Sequence, residues 1–157
     1  MKLQNTLKII TDLSFFENKF IEKKVVFTNG CFDILHPGHI QYLKQAKQLG
    51  NILVVGLNSD ESISKIKGPK RPINNLKFRS QMLSFYDFID YIVVFNEPTP
   101  INVIKKIKPS ILVKGKDYNV DEIVGSEFVK NYGGSVQTLN FVEDYSSSKI
   151  INKIKSL

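Results

Sequence analysis

The chain has two histidines and one cysteine, and all three lie within the stretch Cys31–His39. The local sequence is Thr28-Asn29-Gly30-Cys31-Phe32-Asp33-Ile34-Leu35-His36-Pro37-Gly38-His39. A β-branched and aromatic run, Lys24–Asn29, leads into Gly30, and Pro37 opens an amphipathic segment, so the order is strand, glycine turn, helix start. Backbone N–H groups of Thr28–Asp33 and the positive end of the helix dipole then converge on one spot suited to a polyphosphate. Gly38 lets a phosphate approach the helix tip without a Cβ in the way. His36 and His39 are three apart, hence on one face of the first turn. Two imidazoles there can donate hydrogen bonds to phosphate oxygens whose charge grows as an α-phosphorus is attacked. A two-histidine metal site is the rival reading, with Asp33 as the only near third ligand, on a turn rather than the same face. No metal ligand is assigned.

These side chains need a scaffold that brings strand ends together. After the first strand, Gly38–Leu49 carries a nearly helical apolar stripe and stops at Gly50. Ile52–Asn58 is a strand, with Ser59 or Asp60 available to cap a short helix. Asn75–Tyr86 is helical, Tyr91–Phe95 a strand, and Thr99-Pro100 a helix start with proline at the first helical position. Ile111–Lys114 is a strand, Ser126–Tyr132 a helix closed by Gly133-Gly134, Ser135–Phe141 a strand and Ser147–Lys155 a last helix. The alternation predicts an α/β domain: a Rossmann-like, parallel, five-stranded sheet flanked by helices over residues 23–157. Residues 1–22 are expected to form an N-terminal helical extension. In such sheets ligands sit at the carboxyl ends of strands, which singles out 28–39, 58–79, 114–118 and 144–149.

Only two of the 22 basic residues are arginines, Arg71 and Arg79, and both follow the second strand in a segment with Lys65, Lys67 and Lys70. A guanidinium can bridge two phosphate oxygens, whereas lysine acts as a mobile point charge. Gly68-Pro69 and Arg71-Pro72 mark this segment as a loop able to close over a substrate.

His36-Pro37-Gly38-His39 resembles the HxGH signature of the cytidylyltransferase-like nucleotidyltransferase superfamily. Lys23–Leu157 is similar, element by element, to the heptose 1-phosphate adenylyltransferases within it. Four blocks in the same order carry the likeness: TNGCFDILHPGH, GLNSDESISKIKGPKRPINNLKFR, LVKGKDY and EDYSSSKI. HxGH alone also occurs in class I aminoacyl-tRNA synthetases, which need far more chain than 157 residues. The resemblance implies that Arg79 contacts the triphosphate and that Lys67 and Arg71 hold phosphate groups of nucleotide or acceptor. It implies nucleotide contacts from Lys114, Gly115, Asp117 and Tyr118, although Lys116 stands where the heptose enzymes usually have a second glycine. Ser146, Ser147 and Ser148 resemble the superfamily's ISTT signature and would cap a helix while donating to phosphate oxygens, with Tyr145 in place of its isoleucine.

The activity implied is transfer of AMP from ATP to heptose 1-phosphate, giving ADP-heptose and pyrophosphate, with Mg2+ carried by the triphosphate. Alternatives are cytidylyl transfer to glycerol 3-phosphate or another phosphorylated alcohol, and a non-catalytic nucleotide-binding protein. Composition is that of a globular domain, 42% hydrophobic and 24% charged. The formal charge of +7 is lysine spread along the chain, with no basic–aromatic stripe to suggest nucleic acid. A positive field of that kind attracts phosphorylated metabolites. The longest apolar runs are strand-sized and Met1–Asp12 lacks the apolar core of a signal peptide, so no membrane contact and a cytoplasmic, stand-alone enzyme are expected. With one cysteine an internal disulfide is impossible. A homodimer is compatible with the resemblance.

Overall fold

A computed structural model describes residues 8–116, 119–140 and 146–157. Its six strands are β1 (Ile9–Ile10), β2 (Val25–Gly30), β3 (Ile52–Asn58), β4 (Tyr91–Phe95), β5 (Ile111–Gly115) and β6 (Ser135–Leu139). All pair in parallel, in the order β1-β4-β3-β2-β5-β6. Six helices alternate with them: α1 (Pro37–Gln48), α2 (Asp60–Lys67), α3 (Leu76–Ser84), α4 (Ile101–Ile107), α5 (Ser126–Asn131) and α6 (Ser147–Lys155).

Two apolar layers hold this sheet, one on each face. Phe27 and Val54 pack with Val103, Ile104 and Ile107 of α4 and Val129 of α5. Val26, Leu53 and Val55, the alternate positions on the same strands, pack with Tyr42, Leu43 and Ala46 of α1 and Leu83 of α3. Both faces are therefore dry, which is why β3 reads as an unbroken apolar run with every residue buried. Caps set the helix starts: Ser59 Oγ accepts from Ser62 N and Asn75 Oδ1 from Phe78 N.

The sequence expectation needs three corrections here. The sheet has six strands rather than five, because Ile9–Ile10 pairs with Ile92 and Val93 at the edge. The described part of 1–22 is accordingly not helical: after β1 comes a 3-10 turn, Leu13–Phe16, capped by Asp12. Its aromatic residues explain why, since Phe15, Phe16 and Phe20 cluster around Tyr91 and need an irregular path to reach it. Pro100 is the N-cap of α4 rather than its first helical residue.

The order places the reversal of strand progression at β2, which has β3 on one side and β5 on the other. Beyond the carboxyl ends of these strands lies the crevice that open α/β sheets use for ligands.

Candidate nucleotidyl-transfer site

A cavity of about 390 Å3 opens at that point, a size suited to a small-molecule ligand. Residues from the ends of four strands line it. They include Asn29 and Gly30 at the end of β2, Asn58 of β3, Pro98–Pro100 after β4, and Lys114 and Gly115 of β5. His39 and Tyr42 of α1, Ile66 and Lys67 of α2, and Glu122–Val124 complete the lining.

The imidazoles meet as their spacing requires. His36 is the N-cap of α1, and its Nδ1 accepts from the His39 backbone N–H at 3.4 Å. With Nδ1 an acceptor, the proton of a neutral His36 ring sits on Nε2. The two rings stack with centroids 3.8 Å apart and 21° between their planes. Burial pushes the His36 imidazole below its ordinary range. His39 falls from 6.5 to about 4, chiefly through burial and then through the positive charges of His36 and Lys67, with the Ile34 carbonyl acting in the opposite direction. Both rings are therefore neutral near pH 7, and each can donate one ring N–H.

Phe32 holds this pair from behind. It is buried, with its ring edge-on to His39 at 5.2 Å. Its φ of 45° lies in the left-handed region that costs a bulky residue of the order of 1–3 kcal/mol. The strain is sustained by packing. A Cβ on Gly30 would sit 3.0 Å from the Phe32 ring, so glycine is what lets the ring fold back.

Several residues expected to touch nucleotide also hold the walls of the site together through their side chains. Thr28 is fully buried, and its hydroxyl shares a 2.7 Å hydrogen bond with Tyr42, tying α1 to β2. The Asp33 carboxylate, 3% exposed, accepts from Arg71 Nε at 2.7 Å, from Asn74 N at 2.8 Å and from Ile73 N at 2.9 Å. Burial alone would raise this carboxyl; the Asn74 and Ile73 amides and the Arg71 guanidinium together hold it below its ordinary value. Arg71 thus clasps the basic loop onto the turn after β2. Arg79, expected on the triphosphate, is 1% exposed. Its Nη1 donates to the carbonyls of Cys31 (2.7 Å) and Asn58 (2.8 Å), Nε to that of Asn74 (3.0 Å), and Nη2 to Asp60 (2.7 Å). A five-donor fork buried among three loops leaves little for a ligand.

Other expected residues do face the crevice. Gly30, Cys31, Lys67, Lys114 and Gly115 line it, and Lys114 Nζ also donates to the Asn29 carbonyl at 3.2 Å. Gly38 is buried in the first turn of α1. Ser146 caps α6 by accepting from Lys149 N, and Ser147 Oγ donates to the Ile34 carbonyl at 3.0 Å, so α6 begins beside the histidine turn. Ser148 is exposed on the same turn. Asp117, Tyr118 and Tyr145 lie outside the described residues. Lys116 donates its backbone N–H to Leu139, extending the pairing of β5 with β6.

Sequence reasoning missed the far wall, Pro98–Pro100 and Glu122–Val124. Only the position of Pro98–Pro100 just after a strand pointed to it. Of the two expected caps, Ser59 takes that role and Asp60 instead accepts from Arg79 Nη2 and Leu76 N. Among the described residues no three His, Cys, Asp or Glu side chains come together as a metal nest. Asp33 is committed to Arg71 and two amides, so the rival His–His–Asp site lacks its carboxylate.

The parallel sheet, strand-end crevice, glycine turn and stacked imidazoles at a helix tip agree with the class that the family match gives, a nucleotidyltransferase. The chain belongs to the Cytidylyltransferase-like family, whose model matches residues 27–153. It is 51% identical over 152 residues to a protein of Campylobacter concisus named bifunctional protein HldE, covering 97% of this chain and 31% of that one. To its namesake from Geobacter sulfurreducens it is 52% identical over 132 residues, covering 84% and 27%. The chain thus spans about a third or less of the length of these curated relatives. A crystal structure titled lipopolysaccharide core biosynthesis protein, from Thermoplasma volcanium, superposes with a TM-score of 0.62 at 30% identity, covering 79% of this chain and 99% of that one. A Francisella tularensis pantoate-beta-alanine ligase shares the fold with a TM-score of 0.63 at 18% identity.

Proposed function

We propose that this enzyme transfers AMP from ATP to heptose 1-phosphate, forming ADP-heptose and pyrophosphate. A phosphate oxygen of the acceptor attacks the α-phosphorus of the nucleotide. The new O–P bond forms as the bond to the β-phosphate bridging oxygen breaks, and pyrophosphate leaves with that electron pair. Such a displacement asks for positioning and charge stabilisation rather than a protein nucleophile. Cys31 has no covalent role in it. His36 and His39 donate to oxygens on the phosphorus under attack, and the cationic end of the crevice, Lys67 and Lys114, offsets phosphate charge. Arg79, Asp60, Asp33 and Arg71 position these groups by fixing the turns that carry them. Mg2+ would come with the nucleotide substrate and would supply charge neutralisation of its triphosphate.

The observation that carries this reading is a neutral imidazole, His39, lining a strand-end crevice with the His36 ring stacked against it. Its assignment to a heptose acceptor is supported by the names of the relatives and by the four sequence blocks. The test is pyrophosphate release from ATP, CTP, GTP and UTP, each with heptose 1-phosphate and with glycerol 3-phosphate. Turnover with ATP and heptose 1-phosphate well above the other pairs is expected. Turnover confined to CTP with glycerol 3-phosphate replaces the assignment with a cytidylyl transfer, and tight nucleotide binding without turnover removes catalysis altogether.

A further inference from the structure

Among the described residues that line the crevice, Lys67 and Lys114 are cationic and Glu122 alone is acidic. Glu122 belongs to a 3-10 turn, Val120–Glu122, in the connection between β5 and α5. Local packing fixes that turn. Ile123 is 3% exposed and anchored in the layer with Ile104 and Val129, while its neighbours Glu122 and Val124 are exposed and line the cavity. Gly125, at φ 88°, lies so close to α4 that a Cβ there would meet Ile104 Cδ1 at 2.8 Å. Glu122 thus lines the crevice from a braced turn, and among the described residues no ion pair or side-chain hydrogen bond engages its carboxylate.

A carboxylate is a poor neighbour for phosphate and a good one for hydroxyls, since it accepts hydrogen bonds and has none to give. Asn29, on the same crevice, adds a second acceptor without a donor: its Oδ1 is buried and unpartnered. We infer that Glu122, helped by Asn29, reads hydroxyl groups on the body of the acceptor, so that the crevice selects phosphorylated polyols and orients them with phosphate toward His39 and Lys67. This rests on reading the crevice as the acceptor site of a nucleotidyl transfer. A site built to hydrogen-bond a hydroxyl discriminates strongly against an analogue lacking it, which is where the selectivity would arise.

The test uses E122Q in the full chain, a change on an exposed turn that keeps side-chain size. Initial rates are measured with ATP and a panel of sugar 1-phosphates, glycerol 3-phosphate and their monodeoxy analogues. The expected result is a rise of about tenfold in acceptor KM for E122Q, with the KM for ATP unchanged. One monodeoxy acceptor should show the same loss with the parent enzyme and no further loss with E122Q. If the parent is active with ATP and heptose 1-phosphate and E122Q matches it across the panel, this inference falls and the proposed function stands. A parent inert toward every phosphorylated polyol removes both.

Discussion

At the scale of single residues, the site divides into groups that face the crevice and groups that hold those groups still. His39 is of the first kind. Its neutrality follows from burial beside His36 and Lys67, and a neutral ring can donate to a developing oxyanion without trapping a proton. His39→Ala is expected to lower kcat at least a hundredfold, the usual cost of one well-placed donor, with a melting temperature close to that of the parent; initial-rate assays and a thermal melt check both. Arg79 is of the second kind. The family resemblance implies a triphosphate contact for it, one turn into the helix that follows the basic loop. Its burial could not be read from spacing, since Cys31, Asn58, Asp60 and Asn74 meet only once β2 and β3 are paired. Arg79→Met should therefore cost stability before it costs chemistry. Several carbonyls lose their donor at once, so a loss of about 3 kcal/mol is expected, measured as a fall in the urea midpoint.

At the scale of elements, the histidine turn was the most legible part of the chain. Strand, glycine, proline and helix are each local signals, and α1 begins at Pro37 beside the expected Gly38. β1 was illegible for the opposite reason: two residues carry no periodicity, and Ile9–Ile10 becomes a strand only because β4 offers an edge. The far wall was equally hidden, since Glu122–Val124 has neither motif nor period and owes its place to contact with α4. That contact has a testable weak point. Gly125→Ala combines a positive φ with a collision against Ile104, so a destabilisation of about 1–2 kcal/mol is expected. Acceptor KM should rise in the same variant while ATP KM holds, because the disturbed turn carries Glu122; thermal melts and initial rates test the pair of effects.

At the scale of the whole molecule, the sequence conveyed the parallel α/β sheet because dry strands and amphipathic helices alternate along it, and the six-strand order adds only an edge. No helix among the described residues is long and apolar enough to cross a membrane. The half-buried His39 makes stability depend on pH across the whole fold. Its folded value is about 4 against 6.5 for the free side chain. Between those values the unfolded chain binds a proton that the folded one refuses, so stability declines as pH falls from about 6.5 toward 4. Asp33, held low in the folded state, adds a further loss at still more acidic pH. Urea midpoints taken from pH 7.5 down to 4.5 should therefore drift downward, and replacing His39 with a residue that does not titrate should flatten the part due to it.

The clasp between Asp33 and the 71–74 segment joins positions about forty residues apart in the chain, and the Arg79 bond to Cys31 spans 48. Tethers of that length form only after the strands between them have met, and exposed loops open before a buried sheet does. Mild denaturant should therefore silence this enzyme while its circular dichroism still looks native, leaving a folded but inert species whose recovery on dilution needs only the loops to close again.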